Sequence, residues 1–327
     1  MTNVQVCQEK KIARAREHLD SLVEDYLRIG QQHGFSHDDL QRRLNLLWTL
    51  AQEQIASPHA FEPWHEATRA PFDYRAFGIE FFRPLVDPQR TLLKGPWNQV
   101  REQLQRGENV IFLSNHQSEA EPPAMHLLLE KFDQKLAEHF VMMAGARVTG
   151  DPISSPFSLG CNLLCVYSKR HLPEDPLQRA AQLEHNQRAL QILREKLDQG
   201  GIGLWVACAG GRDRPDASGA MQIAPFDPES VELLRLLGMR SSVRTHWYPL
   251  ALCTYRLLAP PQQRQSELGE HRVTLGGGIG MELLPEVEWT ALPEGKENRE
   301  QRALLLEQQV ATAATRLQQQ IEEPTHE

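Results

Sequence analysis

Residues 110–123 read Val-Ile-Phe-Leu-Ser-Asn-His-Gln-Ser-Glu-Ala-Glu-Pro-Pro. An apolar run stops just short of an imidazole, His116, and after four intervening residues comes a carboxylate, Glu121. A histidine delivered at the end of a buried strand, with an acid beside it, can make a hydroxyl nucleophilic near neutral pH. One ring nitrogen takes the proton while the acid holds the other, which fixes the tautomer and stabilises the imidazolium. Glu119 is a second acid within reach. A lone histidine at such a turn is as readily a capping residue, but the Asn-His-Gln-Ser setting and the adjoining acid favour chemistry on an alcohol.

Two basic loops follow other strand-like runs. Arg212 and Arg214 lie two residues apart after Gly210-Gly211, so in an extended loop both guanidiniums point the same way and can grip one phosphate. Lys169, Arg170 and His171 add cationic donors after an earlier run. The plainer reading is a solvated basic loop, with Asp213 and Asp216 neutralising the arginines. Two such loops beside one candidate base favour phosphate.

The elements that would position these groups are short apolar runs alternating with helical patterns, which predicts an α/β sheet. Strands are expected at Asn109–Leu113, Leu163–Ser168, Gly203–Ala207 and His246–Tyr255. A helix through Leu190, Leu193 and Leu197 should end at Gly200-Gly201; another should open at Asp227-Pro228 and stop at Gly238. Leu306, Val310, Leu317 and Ile321 mark a terminal helix. The first fifty or so residues are helical in pattern, with Ser36 and Asp39 as a capping pair. A domain boundary is expected near residues 75–85. If the strands are parallel neighbours, the loops ending in His116, His171 and Arg214 share one cleft at the carboxyl edge of the sheet.

The totals set outer limits. At 327 residues the chain can hold one large α/β domain with a smaller companion. A formal net charge of -8 argues against general nucleic-acid binding. Five cysteines without a Cys-x-x-Cys pair read as reduced thiols rather than a disulfide framework or zinc site, and the histidines form no metal-ligand set. No apolar run approaches the roughly 18 residues that span a bilayer, and the start contains no signal core. A soluble, cytoplasmic protein is expected, or a mature chain already trimmed. Gly276-Gly277-Gly278-Ile279-Gly280 fits neither a Walker loop nor a dinucleotide turn and reads as a bulge or turn.

With these residues in hand, the chain resembles the soluble plastid-type and chlamydial-type glycerol-3-phosphate 1-O-acyltransferases. Asn115-His116-Gln117-Ser118-Glu119-Ala120-Glu121-Pro122 stands where that family has its His-x4-Asp signature. Asp151-Pro152, Pro156-Phe157-Ser158, Cys165-Val166-Tyr167-Ser168-Lys169-Arg170-His171, Gly210-Gly211-Arg212-Asp213-Arg214-Pro215-Asp216 and Ala224-Pro225-Phe226-Asp227 follow in family order. The resemblance implies a helical-bundle N-terminal domain, residues 1–78, followed by a larger mixed-sheet α/β acyltransferase domain, residues 79–327. It implies His116 and Glu121 as catalytic residues, and Lys169, Arg170, His171, Arg212 and Arg214 as substrate-binding residues.

The implied reaction moves an acyl group from acyl carrier protein, or coenzyme A, to the C1 hydroxyl of glycerol 3-phosphate. It needs no cofactor and no metal, and it allows a transient association with a membrane. Backbone amides would hold the oxyanion. Two departures stand out. Glu121 replaces the family's aspartate, carrying its carboxylate farther by about one bond length, roughly 1.5 Å. Cys208-Ala209 replaces a Pro-Ser pair, losing a hydroxyl near the phosphate loop. The rival readings are acylation of lysophosphatidate at the same site and a non-catalytic binder of phosphorylated lipid precursors.

Overall fold

In a computed structural model, residues 3–168, 173–261 and 272–322 are described. Ten α-helices and ten strands are found along them, with short 3-10 helices between. The first part contains α1 (Asn3–Gln32), α2 (His37–Ala56), β1 (Trp64–His65), α3 (Tyr74–Phe82), β2 (Val86–Lys94) and α4 (Trp97–Gln105). The central part runs through β3 (Asn109–Ser114), α5 (Glu121–Asp133), β4 (Phe140–Ala144), α6 (Arg147–Gly150), α7 (Ser155–Ser158), β5 (Asn162–Cys165), α8 (Pro176–Gln199) and β6 (Gly203–Ala207). The last part holds β7 (Arg214–Pro215), β8 (Met221–Gln222), α9 (Pro228–Arg240), β9 (Thr245–Cys253), β10 (Gly277–Leu283) and α10 (Arg299–Glu322).

Eight strands form one mixed sheet in the order β1-β5-β4-β6-β3-β9-β10-β2, and β7 and β8 make a separate hairpin. The centre, β5-β4-β6-β3-β9, is parallel throughout, whereas β9–β10 and β1–β5 are antiparallel. A central parallel strand is covered on both faces, which is why β3 is apolar without alternation. Every residue of it is buried. Val110 and Phe112 enter the core shared with α1–α5, while Ile111 and Leu113 enter the core under α8, α9 and α10. The fold is therefore a helix–sheet–helix sandwich.

α1 and α2 bury Leu19, Leu22, Tyr26 and Ile29 together with Leu40, Leu44 and Leu47 in the first of these cores. Ser36 caps α2 by accepting from Asp39 N at 3.2 Å, as its spacing predicts. The Tyr26 hydroxyl donates to Phe81 O at 2.8 Å, tying α1 to α3. The glycine run proves to be the bulged start of β10, with Gly276 and Gly277 at φ of 64° and 125° and a register shift before Ile279. A Cβ on Gly278 would lie 2.3 Å from Ile321 Cγ2 and 2.5 Å from Arg90 O, so glycine there lets α10 lie close on the strand.

Burial also sets a pH limit on the fold. His126, on the covered face of α5, has its imidazole pushed down to about 3 by burial, with Arg75 and Arg69 adding to the shift. The unfolded chain takes up this proton below about pH 6.5 while the folded chain refuses it, so stability falls as pH drops through that window. Between about pH 6.5 and 5 this one group should remove roughly 2 kcal/mol, at about 1.4 kcal/mol per unit. Denaturant melts across that range should show the slope in the parent chain and a shallower one in His126→Leu. Equal slopes would remove the assignment.

Candidate active site

The site is assembled at the carboxyl ends of β3, β6 and β9. Asn115 pins the first turn: its amide donates to Leu252 O at 3.1 Å and its oxygen accepts from Leu252 N at 2.8 Å. Gln117 does the same one step on, its Oε1 accepting from Thr254 N at 2.8 Å and Tyr255 N at 3.1 Å. The chain between β3 and α5 is thus clamped to the end of β9. His116 stands between the two clamps.

His116 Nδ1 lies 2.5 Å from Glu121 Oε2. A carboxylate at that distance accepts a hydrogen bond from Nδ1–H, which leaves Nε2 as the nitrogen with the lone pair. Glu121 opens α5 and is fully buried. Its other oxygen accepts from Gln117 N at 2.5 Å, Ser118 N at 3.1 Å and the Thr254 hydroxyl at 3.2 Å. The side chain folds back over its own upstream turn, and this absorbs the extra methylene relative to aspartate. Glu121, not Glu119, is therefore the acid that meets the imidazole.

The Gly210–Arg214 loop adjoins this turn directly: Asp213 N donates to His116 O at 2.6 Å. Asp213 does not turn onto the arginines as the plainer reading of the loop had it. Its carboxylate accepts from Asn115 Nδ2 at 2.7 Å and Ala224 N at 3.0 Å, and burial pushes it up to about 6. Asp216 instead braces its own turn through Ser218, Ala220 and Gln222.

The two arginines diverge from the expected paired geometry. Arg212 Nη1 reaches Glu119 Oε1 at 3.3 Å, whereas Arg214 Nε donates to Pro261 O at 3.0 Å and its Nη1 to Arg212 O at 3.0 Å. Both side chains are accounted for by the protein itself. Lys169, Arg170 and His171 lie outside the described residues. The strand leading to them, β5, is separated from β6 by β4, which the sequence pattern did not reveal.

Sequence reasoning missed Thr254, the structural part of Asp213, and above all Arg272. Arg272 is almost fully buried and bridges two carboxylates, with Nε at 2.7 Å from Glu119 Oε2 and Nη2 at 2.8 Å from Asp151 Oδ2. Burial alone would raise Glu119, but the Arg272 and Arg212 guanidiniums override it and hold the carboxyl at about 2. The buried cysteines play no part: burial pushes Cys161, Cys165 and Cys208 up to about 12, far from thiolate.

A family model described as Acyltransferase matches residues 98–252, which spans β3 to β9 and every residue of the His116 turn. The chain is 37% identical over 297 residues to the glycerol-3-phosphate acyltransferase, chloroplastic, of Spinacia oleracea, covering 89% of this chain and 62% of that protein. It is 40% identical over 250 residues to glycerol-3-phosphate acyltransferase ATS12, chloroplastic, of Cucurbita moschata, covering 76% of this chain and 54% of that protein. The chain thus spans little more than half the length of the curated relatives it matches. A solved structure of the 1-acyl-sn-glycerophosphate (LPA) acyltransferase PlsC from Thermotoga maritima aligns over 75% of this chain and 78% of that one. Its TM-score of 0.41 and identity of 18% are too low to carry a functional argument.

These names correct the expected cytoplasmic location, because the relatives are chloroplastic and point to the plastid instead. Reduced thiols and an acidic balance suit any reducing compartment, so composition had no power to choose one. No helix among the described residues is long and apolar enough to cross a membrane. Residues 98–252 thus match the Acyltransferase model, and the relatives to which the chain is similar are named glycerol-3-phosphate acyltransferases.

Proposed function

We propose that this chain transfers an acyl group from a thioester to the C1 hydroxyl of glycerol 3-phosphate. The reading rests chiefly on the 2.5 Å contact between His116 Nδ1 and the buried Glu121, beside a loop bonded to His116's own carbonyl. In this reading His116 Nε2 removes the C1 hydroxyl proton as that oxygen attacks the thioester carbonyl. The tetrahedral oxyanion then collapses, the C–S bond breaks, and the thiolate leaves with the proton returned by the imidazolium. Arg212 and Arg214, with Lys169, Arg170 and His171, hold the phosphate and so orient the hydroxyl.

Acyl carrier protein or coenzyme A carries the acyl group. The division at 78/79 falls inside α3, and β1 on its N-terminal side pairs with β5 of the main sheet, so the helical companion to the catalytic part is α1 and α2. Steady-state assays with both donors, and with glycerol 3-phosphate against lysophosphatidate as acceptor, test the assignment. Turnover of glycerol 3-phosphate to its 1-acyl ester supports it. Preference for lysophosphatidate would favour the second acylation, and tight binding without product would favour a binder.

Arg212→Ala bears on the phosphate assignment. Losing one charge-assisted contact to a phosphate should raise the KM for glycerol 3-phosphate by about 30-fold, the equivalent of about 2 kcal/mol, while the donor KM moves little. An unchanged acceptor KM would take Arg212 out of the phosphate site.

A further inference from the structure

We infer that Arg272 is a positioning residue for the phosphate end of this site, acting through Glu119 on Arg212. The inference rests on the proposed phosphate role of Arg212. Four buried or half-buried groups form a row of alternating charge, Asp151–Arg272–Glu119–Arg212. At one end, Asp151 accepts from Ile153 N at 2.9 Å and Ser154 N at 3.3 Å, so it is fixed by its own turn. Arg272 is fixed from the backbone side, because Val273 next to it pairs with Ala259 through Val273 N to Ala259 O at 3.2 Å and Ala259 N to Val273 O at 2.7 Å. At the other end, Arg212 meets the base-bearing turn.

The geometry inside the row is unequal. Glu119 Oε2 is taken by Arg272 Nε at 2.7 Å and by the Ser154 hydroxyl at 3.0 Å. Among the described contacts, Oε1 faces Arg212 Nη1 at 3.3 Å. A carboxylate and a guanidinium left to themselves close a two-bonded fork, which would neutralise Arg212 and compete with a phosphate for its N–H groups. Arg272 prevents that closure by occupying the second oxygen and by offsetting the negative charge of Glu119. Glu119 thereby becomes a light restraint on Arg212 instead of a rival anion. His18 on α1 feels both Arg272 and Asp151, and its imidazole is held below the ordinary value first by burial and then by Arg272.

The test compares Arg272→Met, Arg272→Lys, the pair Arg272→Met with Glu119→Gln, and Arg212→Ala, each by steady-state kinetics and thermal melts. Arg272→Met should raise the KM for glycerol 3-phosphate about tenfold, with the donor KM unmoved. Adding Glu119→Gln should recover most of that loss, because the released carboxylate is gone; a merely structural role predicts a further loss. If Arg272→Met does not fold, Arg272→Lys decides alone: it keeps the charge but not the fork, and a rise of about threefold is expected. An acceptor KM within about twofold of the parent in the variants that fold, while Arg212→Ala still raises it, overturns the inference. If Arg212→Ala also leaves that KM unchanged, the phosphate reading fails instead.

Discussion

Replacing His116 with alanine should lower kcat by about 10³-fold while leaving the KM for glycerol 3-phosphate within a few-fold of the parent. The asymmetry follows from where the side chain sits. Its Nδ1 is spent on Glu121, so Nε2 is the nitrogen open to a hydroxyl proton, whereas the proposed phosphate contacts come from a different loop. Removing the ring deletes the proposed base and leaves the proposed anchor. The fold should tolerate the change with a loss of about 1–2 kcal/mol, because Glu121 keeps three other donors, Gln117 N, Ser118 N and Thr254 Oγ1. Thermal melts should confirm a folded variant, and single-turnover acyl transfer gives the chemical step. A variant retaining more than about a tenth of the parent kcat would rule out proton abstraction by His116.

How much of this was legible beforehand depended on the distance over which each signal acts. β6 was delimited by its own residues, and the end of α8 by Gly200 at a φ of 79°. Asp227-Pro228 marked the start of α9 because the cap and the proline are local signals. The same helix runs past Gly238 to Arg240. That glycine is not a stop: a Cβ on it would lie 2.4 Å from Trp247 Cζ2, so it allows close packing on β9. β2 escaped detection because it is an edge strand carrying Pro88 and a polar run, and β10 because its glycines serve the bulge and the contact with α10.

The site divides in the same way. His116 and Glu121 are five positions apart, and their pairing follows from one turn of chain. Arg272 lies 153 positions from Glu119 and 121 from Asp151. No pattern in one sequence links a carboxylate to a guanidinium that distant; the approach of Arg272, shortly before β10, to the 151–154 turn brings them together. The separate protein partners of the two arginines were illegible for a related reason. Spacing aligned Arg212 and Arg214 along an extended loop, but the partners of each, Glu119 and Pro261, lie on opposite sides of it in the chain.

Glu121→Gln is the sharper probe of the base, because it keeps shape and removes charge. Glu121 is fully buried and accepts from four donors, His116 Nδ1, Gln117 N, Ser118 N and Thr254 Oγ1. An amide has one accepting oxygen and one donating nitrogen, so it cannot satisfy both sides. With its oxygen toward the backbone amides, its NH₂ faces His116 Nδ1 and drives the ring hydrogen to Nε2, the nitrogen that must be bare. Turned over, it sets NH₂ against two buried N–H groups at about 1–3 kcal/mol each. The first orientation is the cheaper, so the fold survives and the wrong tautomer dominates. A fall in kcat of about 10²–10⁴-fold is expected, and nitrogen chemical shifts of the His116 ring should report the exchanged tautomer. Combined with His116→Ala the substitution should add almost nothing, since both act through one proton transfer. A double variant markedly slower than His116→Ala alone would mean that Glu121 works on the reaction by a route other than the imidazole.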